Sequence, residues 1–278
     1  GQIDNKGVEV QLNGTPFKTD NFTWDVNVNW SKNENKVIAL NGDSQNYLMA
    51  SYQGGVSLNA RVGESFGALV GSDYVYNANG DKVIDPATGR YLRNNNQVIG
   101  NITPDWVGGI RNSFRYKDFT VSFLIDVKKG GDVFSTDMYY GLATGLYAET
   151  ADYREGGFVH PGVNPNGNVN TTPAINPGSF GNVDGYRRMP NKRFVYDASY
   201  VKLREASIGY SIPKSVLANT SIRDAKISIV GRNLWIIHKN LPYADPEAGT
   251  GNGLASKGNS IGVLPTTRDI GIDITLKF

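Results

Sequence analysis

The chain closes on Asp269-Ile-Gly-Ile-Asp-Ile-Thr-Leu-Lys-Phe278, where Ile270, Ile272, Ile274, Leu276 and Phe278 hold every second position. Gly271, Asp273, Thr275 and Lys277 stand between them. Successive side chains of a strand point to opposite faces, so this stretch has one apolar face and one polar face. Two environments suit such a strand. In a sandwich the apolar face rests on a second sheet. In an outer-membrane barrel it meets lipid, and the polar face lines a wet lumen.

The same alternation recurs upstream. In Phe22-Thr-Trp-Asp-Val-Asn-Val-Asn-Trp30, Phe22, Trp24, Val26, Val28 and Trp30 share one face, while Thr23, Asp25, Asn27 and Asn29 share the other. Tryptophan at both ends of an apolar face fits the aromatic girdles of a membrane barrel, and equally the rims of a sandwich. Further strands are predicted at Val8–Leu12, Trp106–Tyr116, Phe119–Val127, Tyr200–Tyr210 and Asp224–Trp235. The Tyr200–Tyr210 pattern is imperfect, as near a bulge.

The connections between these strands decide between the two readings. Short turns are predicted near 13–21, 117–118 and 212–222, and long segments at 31–105, 129–197 and 237–266. Short turns on one side and long loops on the other are the layout of an outer-membrane barrel. Within the long segments, Asp73–Ile84 carries an Asn79-Gly80 hairpin signal, Asp85–Gly89 reads as a turn, and a helix is expected near Met138–Tyr153. The remainder of 31–105 reads as irregular.

Composition removes other classes. A net charge of +2 without a Lys/Arg cluster gives no footprint for nucleic acid. No apolar run approaches the ~18 residues of a transmembrane helix, whereas alternating strands average to a hydrophilic score such as the mean hydropathy of −0.36 found here. Cysteine is absent, and His160 and His238 lie too far apart for a local metal motif. Both histidines are expected on exposed loops. No metal or cofactor is expected.

Strand direction adds an expectation. If the C-terminus lies on the short-turn side, the first and last strands both run inward, so the count is odd: seven, or nine with the 74–84 hairpin. A single-chain bacterial barrel has an even count and no open edge. The chain therefore reads as part of a barrel, with the pairing partner of its last strand outside these residues.

Several stretches resemble one family. These are Ala60-Arg-Val-Gly-Glu-Ser-Phe-Gly67, Ile99-Gly-Asn-Ile-Thr-Pro-Asp-Trp-Val-Gly-Gly109, Asn112–Phe123, Lys129-Gly-Gly-Asp-Val133, Ser199–Pro213, Gly231-Arg-Asn-Leu-Trp235, Asp245-Pro-Glu247 and Pro265–Gly271 through Phe278. In this order they resemble the C-terminal part of SusC/RagA-type TonB-dependent outer-membrane transporters of Bacteroidetes. The resemblance implies an all-β fold, part of a large antiparallel transmembrane β-barrel of about 22 strands with a plug in its lumen. It implies import of an oligosaccharide or peptide in the cell outer membrane, a SusD-like lipoprotein as lid, and drive from the TonB complex. Residues 1–278 would be the C-terminal barrel segment, with plug domain and TonB box elsewhere. The terminal Phe278 resembles the aromatic assembly signal of such barrels. An extracellular β-sandwich binding or adhesion module and a passive porin are the alternatives.

Bond chemistry is not expected. Gly63-Glu-Ser65-Phe-Gly67 fits G-x-S-x-G, but a nucleophile elbow needs a strand before it, a helix after it and a histidine partner. Gly249-Thr-Gly251-Asn-Gly253 lacks the context of a dinucleotide loop, and Asn77–Asp85 lacks calcium-loop spacing. The candidate ligand contacts are loop aromatics and acids: Tyr139, Tyr140, Tyr147, Tyr153, Tyr243, Asp245 and Glu247. Rings stack on sugar faces or peptide side chains, and carboxylates accept hydroxyl or amine hydrogen bonds. Asp25, Asn27, Asn29, Asp273, Thr275 and Lys277 are expected on the lumen face.

Overall fold

The computed structural model describes residues 1–153, 157–175, 184–249, 251, 253 and 256–278, with the side chains of 152 and 153 outside the description. The strands are β1 (Gln2–Lys18), β2 (Phe22–Ala39), β3 (Asn46–Ser51), β4 (Ser57–Arg61), β5 (Ala68–Tyr74), β6 (Ile84–Asp85), β7 (Arg90–Tyr91) and β8 (Arg93–Asn101). After them come β9 (Trp106–Tyr116), β10 (Phe119–Lys129), β11 (Asp132–Ser135), β12 (Val195–Asp197), β13 (Tyr200–Ser211), β14 (Asp224–Lys239), β15 (Asn259–Ser260) and β16 (Asp269–Lys277). The helices are α1 (Thr136–Thr144) and α2 (Lys214–Leu217). Among the described residues no helix is long and apolar enough to cross a membrane.

Seven strands form one antiparallel sheet in the order β1-β2-β9-β10-β13-β14-β16, the odd count expected from strand direction. Its register aligns the alternation of every strand. Trp24, Phe114, Val121, Ile208, Ile229 and Ile272 run across one face. Thr23, Arg115, Thr120, Gly209, Ser228 and Asp273 run across the other. A one-residue slip would exchange the faces, so the pattern itself fixes the register. Phe22 to Trp30 rises roughly 26 Å along its strand. At a tilt near 40° that is about 20 Å of height, close to the ~25 Å apolar band of a membrane barrel.

No second sheet covers the apolar face among the described residues: Ile270, Ile272 and Ile274 are 73%, 71% and 63% exposed. A sandwich would bury these three. One polar residue, Asn112, sits on this face, nearly buried, and accepts a hydrogen bond from Trp24 Nε1 at 3.0 Å. On the opposite face Thr15 donates to Asp25 at 2.6 Å, Ser122 and Ser207 share a bond at 2.8 Å, and Arg111 pairs with Glu205 at 2.8 Å.

One short connection is shorter than the sequence suggests. The turn expected at 13–21 shrinks to the residues between β1 and β2, because β1 continues through Thr15-Pro16 by a register shift between Gly14 and Phe17. Proline is tolerated there because a bulge frees its missing donor. Lys117 turns β9 into β10 with φ of 52°.

The long connections depart most from expectation. Residues 31–105 are ordered throughout: β2 extends to Ala39, and β3-β4-β5-β8 form a four-stranded sheet. The Asn79-Gly80 hairpin exists as the bridge Tyr76↔Lys82, with Asn77 Oδ1 accepting from the Asn79 and Asp81 amides at 2.9 Å each. It stays outside the seven-stranded sheet. The helix expected at Met138–Tyr153 begins earlier and ends sooner. Ser135 Oγ caps α1 by accepting from Met138 N at 3.1 Å, and Gly145 (φ 75°) stops it before a 3-10 turn over Ala148–Tyr153.

All three excursions fold together as a cap. Leu58, Leu69, Ile84 and Ile99 from the first and Phe134, Met138, Leu142 and Phe194 from the second make one buried core. The third joins through β15, which pairs in parallel with β11, and through Thr136 Oγ1 donating to Asn259 Oδ1 at 2.7 Å. Fully burying one such Leu, Ile or Phe contributes about 1.5–3 kcal/mol. His160, expected on an exposed loop, is instead buried in this cap between Phe158 and Tyr91, with ring centroids at 5.1 and 5.0 Å. His238 is exposed on β14.

Candidate functional site

A cleft of about 920 Å3 opens in the cap between the β5–β8 sheet, α1 and the segment after Asp184. Asn191 holds its floor. Its Oδ1 accepts from Ser72 N (2.9 Å) and Ser72 Oγ (2.7 Å), its Nδ2 donates to Gly54 O (2.9 Å), and its N donates to Ser72 Oγ (2.9 Å). One buried amide thus ties three segments that lie far apart in sequence, and an unpaired remnant would cost about 1–3 kcal/mol. Gly54 is forced by space as well as conformation: its φ is 82°, and a Cβ would meet the Tyr139 ring at 2.8 Å.

The aromatic wall of the cleft is built around Tyr139 and Tyr140. Tyr139, at 2% exposure, is a core residue rather than a ligand contact, and burial pushes its phenol above the usual range. It meets Tyr140, Tyr186 and Phe194 edge-on at 5.2, 5.4 and 5.2 Å. Tyr140 stacks on Tyr186 at 5.4 Å and 18° and remains 37% exposed toward the cleft. The Arg187 guanidinium lies 5.0 Å from the Tyr186 ring centroid, and Arg93 Nη2 donates to Arg187 O at 2.6 Å. Asn95, Asn96 and Gln53 add amide groups at the rim. Tyr186, Arg187 and Arg93 did not emerge from the sequence. The one available signal was Gly185-Tyr-Arg-Arg188, an aromatic beside two cations in an otherwise Gly- and Asn-rich stretch.

The other sequence candidates lie elsewhere. Tyr147 and Tyr243 stack on each other at 4.2 Å and 11°, and Tyr243 Oη donates to Glu149 at 2.6 Å. That pair joins the second and third excursions. The side chain of Tyr153 lies outside the described residues. Asp245 and Glu247 are anchors rather than presented acceptors. Lys202 Nζ, 2% exposed on β13, donates to Asp245 Oδ1 at 2.8 Å and to Glu247 Oε2 at 2.5 Å. The other Asp245 oxygen accepts from Thr266 N at 3.0 Å and Thr266 Oγ1 at 2.7 Å. Burial opposes both charges, yet these bonds hold Asp245 and Glu247 below the usual carboxylate range. Arg204 completes the network, reaching Asp126 through Nε at 3.0 Å and Glu247 through Nη1 at 3.0 Å.

Ser65 of the G-x-S-x-G pattern lies in a turn between strands β4 and β5, with no helix following. Its hydroxyl donates to Asn35 Oδ1 at 2.8 Å, so its geometry is that of a capped turn. The 249–253 run falls partly outside the described residues at 250 and 252.

No protein-family model matches the chain. Among curated proteins, TonB-dependent receptor P3 of Formosa agariphila is 28% identical across the whole chain, which spans 29% of that receptor. TonB-dependent receptor SusC of Bacteroides thetaiotaomicron is 30% identical over 44% of the chain, corresponding to 14% of SusC. Among solved structures, the RagAB peptide transporter matches over 99% of this chain and 29% of its own, with a TM-score of 0.66 and 18% identity. The chain therefore spans under a third of the length of these relatives. Its seven-stranded wall is part of a large antiparallel transmembrane β-barrel of the kind they share.

Proposed function

For a chain related over its whole length to TonB-dependent receptors of the SusC/RagA type, we propose that residues 1–278 are the C-terminal barrel segment of an outer-membrane nutrient importer. The plug domain and TonB box would lie in other parts of the same protein. The TonB complex would act through those parts, and a SusD-like lipoprotein would close over the cap. The cargo is an oligosaccharide or a peptide. The chain itself does no bond chemistry; it supplies wall, polar lumen face and ligand-contacting cap.

One observation carries this reading: an exposed, predominantly apolar face on the sheet stands beside a cap with its own buried core. Lipid is the solvent that suits the first, and water suits the second. Within the cap, Tyr140 and Tyr186 are the ligand-stacking pair, Tyr139 their support, and Tyr147 and Tyr243 a second aromatic platform. Asp245 and Glu247 hold the third excursion on the wall. Tyr140→Ala combined with Tyr186→Ala in the full-length protein should lower uptake of its nutrient at unchanged outer-membrane abundance. Unchanged uptake would remove the cleft from the transport path.

A further inference from the structure

The charge of the cleft is one-sided. Among the described residues its lining holds two guanidinium groups, Arg93 and Arg187, and no carboxylate. Neither arginine forms a salt bridge among the described residues. The Arg187 guanidinium instead lies against the Tyr186 ring, and Arg93 bonds to the backbone oxygen of Arg187. Burial disfavours the charge on Arg93, and Arg90 beside it adds like charge to the same corner. Several arginines elsewhere find acids, Arg111 pairing with Glu205, Arg193 with Asp184, and Arg204 with Asp126 and Glu247, whereas Arg61 and Arg115 bond to neutral oxygens. A cluster of like charges held on ordered backbone is unfavourable until an anion joins it. Arginine's planar fork suits carboxylate and sulfate oxygens in particular.

Resting on the transport reading of this cleft, we propose that it selects anionic cargo. The ligand would carry a carboxylate or sulfate within reach of Arg93 and Arg187, beside a ring or flat apolar face that lies on Tyr140. An acidic oligosaccharide meets both requirements most directly: each acidic sugar unit offers an apolar ring face and a charged substituent. The amide groups of Gln53, Asn95 and Asn96 would take its hydroxyls. A peptide rich in acidic side chains is the competing source of the same group.

The test uses the full-length transporter in detergent and matched ligand pairs in titration calorimetry. One pair is trigalacturonate and its methyl triester; the other is a glutamate-rich tetrapeptide and its glutamine counterpart. The acidic sugar should bind roughly 10- to 100-fold more tightly than its ester, the range for one or two charge-assisted hydrogen bonds. Arg187→Gln and, separately, Arg93→Gln should erase that preference, while Arg93→Lys keeps part of it. Tyr140→Ala should weaken both members of the pair alike. Preference for the acidic peptide alone would overturn the sugar assignment. Equal binding within both pairs, a preference that survives both glutamine variants, or no binding of any acidic probe would overturn the proposal. If anion preference fails while Tyr140→Ala still lowers nutrient uptake, the transport role of the cleft stands without it.

Discussion

The wall and the cap draw on the same residue types and arrange them in opposite senses. In the wall, Ile270, Ile272 and Ile274 point outward and are mostly exposed, while on the other face Ser122 bonds to Ser207 and Glu205 pairs with Arg111. In the cap, Leu58, Ile84, Ile99 and Phe194 are fully buried. An isoleucine reports which solvent its segment was built for, not whether it lies inside. Hydrophobic burial organises the cap; backbone pairing and lipid organise the wall.

Four perturbations would break or sharpen this contrast. The largest effect is expected from Phe194→Ala, which opens a cavity in the cap core and should cost about 3–5 kcal/mol. Hydrogen exchange in the full-length protein should show the cap amides deprotected and the wall amides unchanged. Simultaneous loss in both would mean that they fold as one unit. Next is Ile272→Lys, expected to cost about 2–4 kcal/mol on a lipid face. The same change at the neighbouring Thr275, on the polar face, should be nearly neutral. Heat-modifiable migration on gels compares the two, and equal damage would contradict the assignment of faces.

Acid should act on the cap's anchorage. Asp245 and Glu247 are held below the carboxylate range in the folded state, so their contribution is complete above about pH 5 and declines as pH falls below their unfolded values near 4. Exchange protection of 240–249 should follow that course, and Lys202→Met should weaken the pH dependence, with Arg204 and Thr266 retaining the rest. Protection that rises with acid would reverse the sign and refute the network's role. The smallest effect is expected at the chain end. Phe278, 74% exposed, should tolerate a charged replacement with no change in ligand affinity but with less protein inserted. Normal insertion would remove it as an assembly signal.

The wall was legible in the sequence because its signal is local. A period of two over Phe22–Trp30 or Ile270–Phe278 needs no knowledge of partners, and even the odd strand count followed from direction alone. The cap was not legible because its core is assembled from short segments far apart, such as those of Leu58, Ile99 and Phe194, none with a repeating pattern. At the site, Tyr139 and Tyr140 stood out as loop aromatics, but which of them faces the cleft depends on packing. Asp245 and Glu247 stand out in the sequence as candidate ligand contacts because their partners, Lys202 and Arg204, sit in a strand more than 40 residues earlier. The broken alternation at Lys202-Leu-Arg-Glu205 was the trace of that partnership. Charges on consecutive parities in a wall strand mean that something lies over it.

Asn35, near the tip of β2, accepts from Ser65 Oγ and Phe66 N at 2.8 and 2.6 Å and so fastens the cap to the wall a second time. β2 and β13, the strands that bear the two fastenings, are three places apart in the sheet, roughly 14 Å at the usual strand spacing. At β2 the backbone joins in, Val37 N donating to Glu64 O and Gly63 N to Val37 O at 2.9 Å each, so the cap is clamped there along a stretch of strand. Any opening of the cap over the lumen would have to break main-chain bonds as well, and releasing Asn35 alone would leave that clamp in place.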